Sequence, residues 1–234
     1  MESGLIIGGT SGLGYSTGLN LAEKGYRVTL AGRTRPKNLG KASYKFIDVT
    51  DELSIKDFFS SKEVKPINSI IYSAGVSAKR KPINQFAQKS YEDVLNVNML
   101  GALLVFKYAH KYLKKTKGRV LVINSVAARA YSKYSGIEYT ISKSGLSGVV
   151  RHLATEWSED GILINSIFPS MIDTPMLRKA LSQKQIEKIA QDIPLQRIAN
   201  SDDMLGIIEF LISTQNTYLT GAGIDINGGQ HLTG

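Results

Sequence analysis

Tyr139 and Lys143 stand four residues apart in the stretch EYTISKSG (138–145). That spacing places both on one face of a helix. The same stripe continues through Leu146, Val150, Leu153 and Trp157, so a lysine sits in a row that is otherwise apolar or aromatic. Such a lysine either runs its stem along the apolar surface to reach water or is held there for use. A free phenol titrates near ~10, and an ammonium one turn away favours the phenolate. With 11 tyrosines in the chain, the spacing alone is a weak motif, and its neighbours must decide.

A second constellation is LIIGGTSGLG (5–14). A short apolar run enters a glycine-rich turn and then a helical pattern, the context a dinucleotide site requires. Gly8, Gly12 and Gly14 let the backbone turn tightly and approach a pyrophosphate. Thr10, Ser11 and Leu13 lie between them, at the N-terminus of the following helix, whose free N–H groups and positive dipole end suit an anion. The alternative is a purely structural turn.

The elements that must position these groups alternate along the chain. Short β-rich runs occur at 4–8, 27–31, 44–47, 69–73, 119–124, 163–168 and 223–226, with helical patterns at about 13–24, 51–60, 90–116, 139–158 and 202–213. Continuous apolar strands alternating with helices predict an α/β fold with a parallel sheet covered on both faces. Right-handed crossovers make it a doubly wound, Rossmann-type sheet of about seven strands in a single domain over 1–234. Helix starts are signalled by Thr50 and Asp51, by a capping box beginning at Ser90, and by Ser201 with acidic residues after it. The link from Arg33 to Ser43 contains Pro36 and Gly40 and is too short for a full helix. Residues 171–200 lack a clear strand and read as a partly helical flap over the site.

Composition narrows the function classes. There is no cysteine, hence no disulfide, thiol nucleophile or zinc–thiolate site. The three histidines, His110, His152 and His231, are scattered and offer no metal cluster. No apolar run approaches a membrane span, and the first residues lack the basic region of a secretory signal. The expectation is a cytoplasmic protein without membrane or nucleic-acid partners. Nucleic acid would call for a basic and aromatic surface stripe, and none is found. The net charge of +9 suits anionic small molecules or an acidic protein partner. The basic cluster at 107–119 reads as the solvated C-terminal end of a helix.

Together, the Gly8-x3-Gly12-x-Gly14 spacing and YTISK identify a resemblance to the short-chain dehydrogenase/reductase family over nearly the whole chain. FIDVT (46–50) resembles the segment after the third strand, with Asp48 and Val49 near the adenine. YSAG (72–75) resembles the loop after the fourth strand, with Ala74 and Gly75 retained and Tyr72 and Ser73 in place of paired asparagines. NVNMLG (96–101) carries Asn98 and VINS (122–125) carries Ser125. FPSMIDTPM (168–176) is similar to the segment that closes over nicotinamide, with Pro169, Ile172 and Thr174 among its contacts and Ser170 where the family has glycine. LTGAGIDINGG (219–229) resembles the last strand. Ile7 replaces the usual threonine.

The resemblance implies a hydride-transferring oxidoreductase interconverting a ketone and a secondary alcohol. Tyr139 is then the general acid/base, its pKa lowered by Lys143 and by oxidised nicotinamide. Ser125 holds the substrate oxygen, and Asn98 holds a water that links Lys143 to solvent. The other readings are that Ser125 merely ends a strand and Asn98 satisfies backbone groups in its own helix. Gly32 occupies the position of the acid that would bind the ribose of NAD, and Arg33, with Arg35 close behind, suits a 2′-phosphate. The cofactor expected is NADP(H).

Lys79, Arg80 and Lys81, Arg129, and Arg178 with Lys179 fall on loops at the carboxyl ends of the strands. They suggest an anionic substrate or one on an acidic carrier; the alternative is ordinary surface charge. IPLQRIANSDDM and TGAGIDINGG are similar to 3-oxoacyl-acyl-carrier-protein reductases. Reductases of sugar or secondary-metabolite ketones are the second expectation, and a non-catalytic NADP-binding sensor a remote one. The resemblance also implies a homotetramer or homodimer through the helices at about 99–116 and 139–158, with Gly145 and Gly148 permitting close contact.

Overall fold

The computed structural model describes residues 2–64 and 66–232; the side chains at 175, 176 and 180 lie outside that description. Among the described residues there are seven strands: β1 (Ser3–Ile7), β2 (Arg27–Gly32), β3 (Ser43–Phe46), β4 (Ser69–Tyr72), β5 (Arg119–Ile123), β6 (Leu163–Pro169) and β7 (Gly223–Ile226). They form one sheet in the order β3-β2-β1-β4-β5-β6-β7, every pair parallel. The order reverses between β1 and β4, which places a crevice at their carboxyl ends. The expected doubly wound α/β fold is what the chain adopts.

The helices are α1 (Gly12–Glu23), α2 (Glu52–Ser60), α3 (Gln88–Leu95), α4 (Gly101–Thr116), α5 (Ile137–Glu156), α6 (Pro175–Ala180), α7 (Gln183–Gln191) and α8 (Asp202–Ile212). One buried cluster packs Ile55, Phe58, Val105, Phe106, Leu146 and Val150, from α2, α4 and α5, on one face of the sheet. The other packs Leu13, Leu21, Met204 and Ile208, from α1 and α8, on the opposite face. Both faces are therefore covered, which is why the central strands read as unbroken apolar runs.

Local signals were obeyed unevenly. Asp51 caps α2 by accepting from the Leu53 N–H at 2.9 Å. The expected capping box at Ser90 is not formed: α3 begins two residues earlier, behind Ala87, so Ser90 lies inside the helix. Ser201 makes no side-chain cap. Instead Asn200 accepts from the Asp203 N–H at 3.1 Å while Asp203 accepts from the Asn200 N–H at 2.8 Å. The expected single helix over 90–116 is interrupted by a π turn at Asn96–Leu100. The link between β2 and β3 holds no helix, as expected. Residues 171–200 contain α6 and α7, the latter opened by a capping box between Ser182 and Gln185.

Gly145 does not lie open for a partner helix: a Cβ there would stand 2.7 Å from Met99 Sδ of the same chain. Gly148 has open space around it.

Candidate active site

The glycine turn after β1 is built for close approach. Gly8 has φ +81°, and a Cβ on it would lie 2.4 Å from the Ala74 backbone nitrogen and 2.6 Å from Ala74 Cα. Only glycine lets the turn press against the loop after β4. Gly14 packs as closely, a Cβ there falling 2.6 Å from the Gly8 carbonyl oxygen. Ser11 opens α1 in extended conformation and makes no side-chain cap, so the first N–H groups of the helix are left for an anion. Thr174, which caps α6 through the Leu177 N–H at 3.3 Å, reaches back until its methyl is 3.7 Å from a Cβ placed on Gly12. Ile172 bridges to Ala199, and Pro169 ends β6. The segments singled out in the sequence thus meet at one end of the sheet.

Asp48 lies below the usual carboxylate range. Burial works to raise its pKa, but the Thr50 N–H at 2.9 Å, the Thr50 hydroxyl at 2.7 Å and the charge of Arg33 outweigh it. Arg33 itself is exposed at the end of β2. Arg35 lies over the Tyr44 ring at 6.0 Å. A Cβ on Gly32 would meet Thr10 Oγ1 at 2.7 Å and Thr10 Cγ2 at 2.8 Å. Thr10 therefore fills the space an acidic side chain would need.

At the centre, Lys143 is only 4 % exposed. It does not reach water along the apolar surface; its ammonium donates to the Ile123 carbonyl at 2.8 Å and lies 5.6 Å from the centroid of the Tyr139 ring. Burial pushes its pKa down to about 8. Asn98 is fully buried. Its Oδ1 accepts from the Val76 N–H at 2.8 Å, and its Nδ2 donates to the Val76 carbonyl at 3.0 Å and to Ser142 Oγ at 2.9 Å. The backbone it satisfies belongs to the loop after β4 rather than to its own helix. A methyl on Gly75 would stand 3.5 Å from Asn98 Oδ1 and 3.7 Å from Lys143 Nζ, so that glycine lies between the two.

Ser125 follows β5 in extended conformation, and its Oγ accepts from the Ala127 N–H at 3.2 Å. Its hydroxyl also hydrogen-bonds the Tyr139 phenol. The expected lowering of the tyrosine pKa is not produced by the chain alone: burial raises it, and the Ser125 bond offsets only part of the rise. The phenol is neutral and can donate a proton.

Three neighbours have contacts that the sequence motifs do not announce. Ser142 links Asn98 to the Tyr139 carbonyl, to which it donates at 2.8 Å; its position three residues after Tyr139 was the available signal. Asn124 accepts from the Ser125 N–H at 3.0 Å and donates to Ser147 at 3.0 Å. Tyr72 donates to the Val97 carbonyl at 2.7 Å.

The basic loops divide. Arg129 donates to the Gly223 carbonyl at 2.8 Å, pairs with Asp225 at 3.2 Å and lies 3.9 Å over the Phe168 ring. Arg178 forms a two-pronged pair with Asp173 at 2.6 and 2.7 Å. Both charges are paired within the chain. Lys79, Arg80 and Lys81 are exposed, Arg80 lying 5.3 Å over the Tyr131 ring. Among the described residues no group of three or more His, Cys, Asp or Glu could hold a metal, and no helix is long and apolar enough to cross a membrane.

Comparison with known proteins bears on the chain as a whole. The family described as enoyl-(acyl carrier protein) reductase matches residues 8–231. The chain is 31% identical to the 3-oxoacyl-[acyl-carrier-protein] reductase MabA of Mycobacterium tuberculosis over 99% of this chain and 93% of that one. It is similar to the structure of ElxO with NADP bound, at a TM-score of 0.90, 26% identity and 98% coverage of both chains. It is also similar to a short-chain dehydrogenase of Leptospira borgpetersenii with bound NAD+, at a TM-score of 0.91, 25% identity, and 99% and 93% coverage. With this sheet order, this glycine turn and this tyrosine beside a buried lysine, the chain belongs to the short-chain dehydrogenase/reductase family and is an oxidoreductase.

Proposed function

We propose that the protein is an NADP(H)-dependent reductase that converts a ketone to a secondary alcohol, with a 3-oxoacyl thioester as substrate. One observation carries the reaction class: Tyr139 lies one helical turn from a buried Lys143, whose ammonium is 5.6 Å from the centroid of the phenol ring. NADPH supplies the hydride when bound. The chain's own part is to orient and to move a proton. Ser125 holds the ketone oxygen, and Tyr139 gives that oxygen its proton as the carbonyl carbon becomes tetrahedral. Lys143 then returns a proton toward the tyrosine, and Asn98 holds the water through which that proton arrives.

NADP is favoured over NAD by Arg33, by the missing carboxylate at Gly32 and by Thr10 in its place. The bound NADP of ElxO supports this choice, while the NAD+ of the Leptospira protein shows that the fold does not impose it. The cradle would be Gly8, Thr10, Ser11, Gly12, Leu13 and Gly14, with Asp48, Val49, Ala74 and Gly75 toward the adenosine and Pro169, Ile172 and Thr174 toward the nicotinamide. The acyl-thioester assignment rests on the name of the 31%-identical relative and on the exposed basic loop at 79–81. Residues 171–200 act as a substrate flap, tied to the loop before α5 by Lys133 and Asp192 at 3.4 Å. The protein works in the cytoplasm as a homotetramer or homodimer through α4 and α5, where Leu103 and Ile141 are exposed.

The test is NADPH oxidation with a panel of ketones led by acetoacetyl-CoA, for the native chain and for Tyr139→Phe. The expected result is turnover that the phenylalanine abolishes. Turnover with sugar ketones alone would overturn the thioester assignment, and failure to bind NADPH would overturn the cofactor and the mechanism together.

A further inference from the structure

The π turn that carries Asn98 has an unusual closure. The residue that follows it, Gly101, donates its N–H to the Asn96 carbonyl. In an α-helix that N–H would go to Val97 instead. The Val97 carbonyl thus loses its ordinary i+4 donor, and the Tyr72 hydroxyl donates to it at 2.7 Å. Tyr72 is the last residue of β4 and fully buried. Its ring packs edge-on against Phe106 at 5.8 Å, which fixes the direction of the hydroxyl. The helix can come this close because position 101 is glycine: a Cβ there would lie 3.1 Å from the Tyr72 oxygen and 2.8 Å from the Val49 carbonyl. The widened turn displaces Asn98 from the register of a continuous helix and into its bonds with Val76 and Ser142.

We infer that Tyr72 is a positioning residue for the reaction: its hydroxyl holds the π turn open at Val97 and so sets Asn98 between the loop after β4 and the Tyr139–Lys143 helix. This rests on the role proposed above for Asn98. An apolar ring of the same shape would serve packing equally well, so the function resides in the hydroxyl. Burial raises the Tyr72 pKa well above its ordinary value, so the group remains a donor across the working pH range.

The test is a double-mutant cycle of Tyr72→Phe with Asn98→Ala, read as kcat and KM with the ketone that gives tyrosine-dependent turnover. Tyr72→Phe is expected to lower kcat about fivefold to tenfold, because small misplacements of a reacting group are costly. The KM for NADPH should stay within about twofold, since the cradle is untouched. In the Asn98→Ala background the same substitution should cause no further loss, because the two residues act as one unit. Amide exchange over 97–101 should quicken in Tyr72→Phe. Gly101→Ala, which pushes the helix away from the hydroxyl, should reproduce the fall in kcat if the phenylalanine variant does not fold. A Tyr72→Phe enzyme with native kcat, or losses that multiply in the double variant, overturns the inference while leaving the reductase standing. A native chain that turns over no ketone of the panel overturns the reductase reading, and this role with it.

Discussion

Lys143→Met should make the protein inactive and, at neutral pH, more stable. The lysine's pKa falls from an ordinary 10.5 to about 8 because burial disfavours its charge. The folded state therefore binds the proton more weakly than the unfolded chain does. Below about pH 8 the ammonium is kept in both states, and its burial costs about 3 kcal/mol. As pH rises from 8 toward 10.5 the folded chain sheds the proton first, and by pH 10 the cost has fallen to about 1 kcal/mol. Methionine fills a similar volume without the charge. It leaves the Ile123 carbonyl without the donor it has at 2.8 Å, a loss of about 1 kcal/mol. The variant should thus be more stable by about 2 kcal/mol at pH 7, or roughly 4–8 °C in Tm for a chain of this size, and about equal at pH 10. Urea unfolding of both proteins at the two pH values measures this, alongside NADPH oxidation. A variant less stable at pH 7, or an advantage of equal size at pH 10, would refute the argument that an uncomfortable buried ammonium is retained for chemistry.

Two further outcomes are expected. Gly32→Asp alone should weaken NADPH without producing useful NADH turnover, because Thr10 Oγ1 and Cγ2 both crowd the new Cβ and one rotation about χ1 moves only one of them away. Adding Thr10→Ala should release NADH use. Comparing kcat/KM for both cofactors decides, and strong NADH use by the single variant would contradict the crowding. Asp203→Asn should cost about 1 kcal/mol at pH 7. The two-pronged Arg197 pair, at 2.7 and 2.8 Å, and the Asn200 N–H hold the Asp203 carboxyl down to about 2. That stability is present above the ordinary carboxylate range and lost as pH falls through about 2, so the two proteins should converge under strong acid. An equal difference at both ends of the pH scale would mean that the carboxylate charge is not the cause.

Much of the sheet was legible because burial on both faces writes the central strands as compact apolar runs; the seven strands fall within a residue or two of the expected runs, the part-exposed edge strands β3 and β7 included. The glycine turn and the Tyr139–Lys143 spacing were legible because each depends on local periodicity. What lay hidden depends on neighbours distant in the chain. The π turn at Asn96–Leu100 leaves the apolar pattern of a helix unbroken, so a 3.6-residue reading runs straight through it. Arg129 looked free because nothing near it in sequence announces Gly223, Asp225 and Phe168. Ser90 and Ser201 illustrate how capping residues mislead: the helix begins where packing demands, at Gln88 in one case, and in the other Asn200 supplies the cap.

The sheet order also governs how the chain is made. β1 lies between β2 and β4, so its pairings are complete once Tyr72 has been synthesised. The phosphate turn can therefore take shape long before Tyr139 leaves the ribosome, given the pace of translation. β4 is less fortunate. Its outer edge pairs with β5 through Ser69↔Arg119 and Tyr72↔Val122, and until those residues arrive the wholly buried run SIIY presents bare N–H and C=O groups. An open apolar edge of that kind invites intermolecular strand pairing. The nascent chain is thus most exposed to aggregation between the completion of its nucleotide half and the arrival of β5, and slowing synthesis over 73–119 would lengthen that interval.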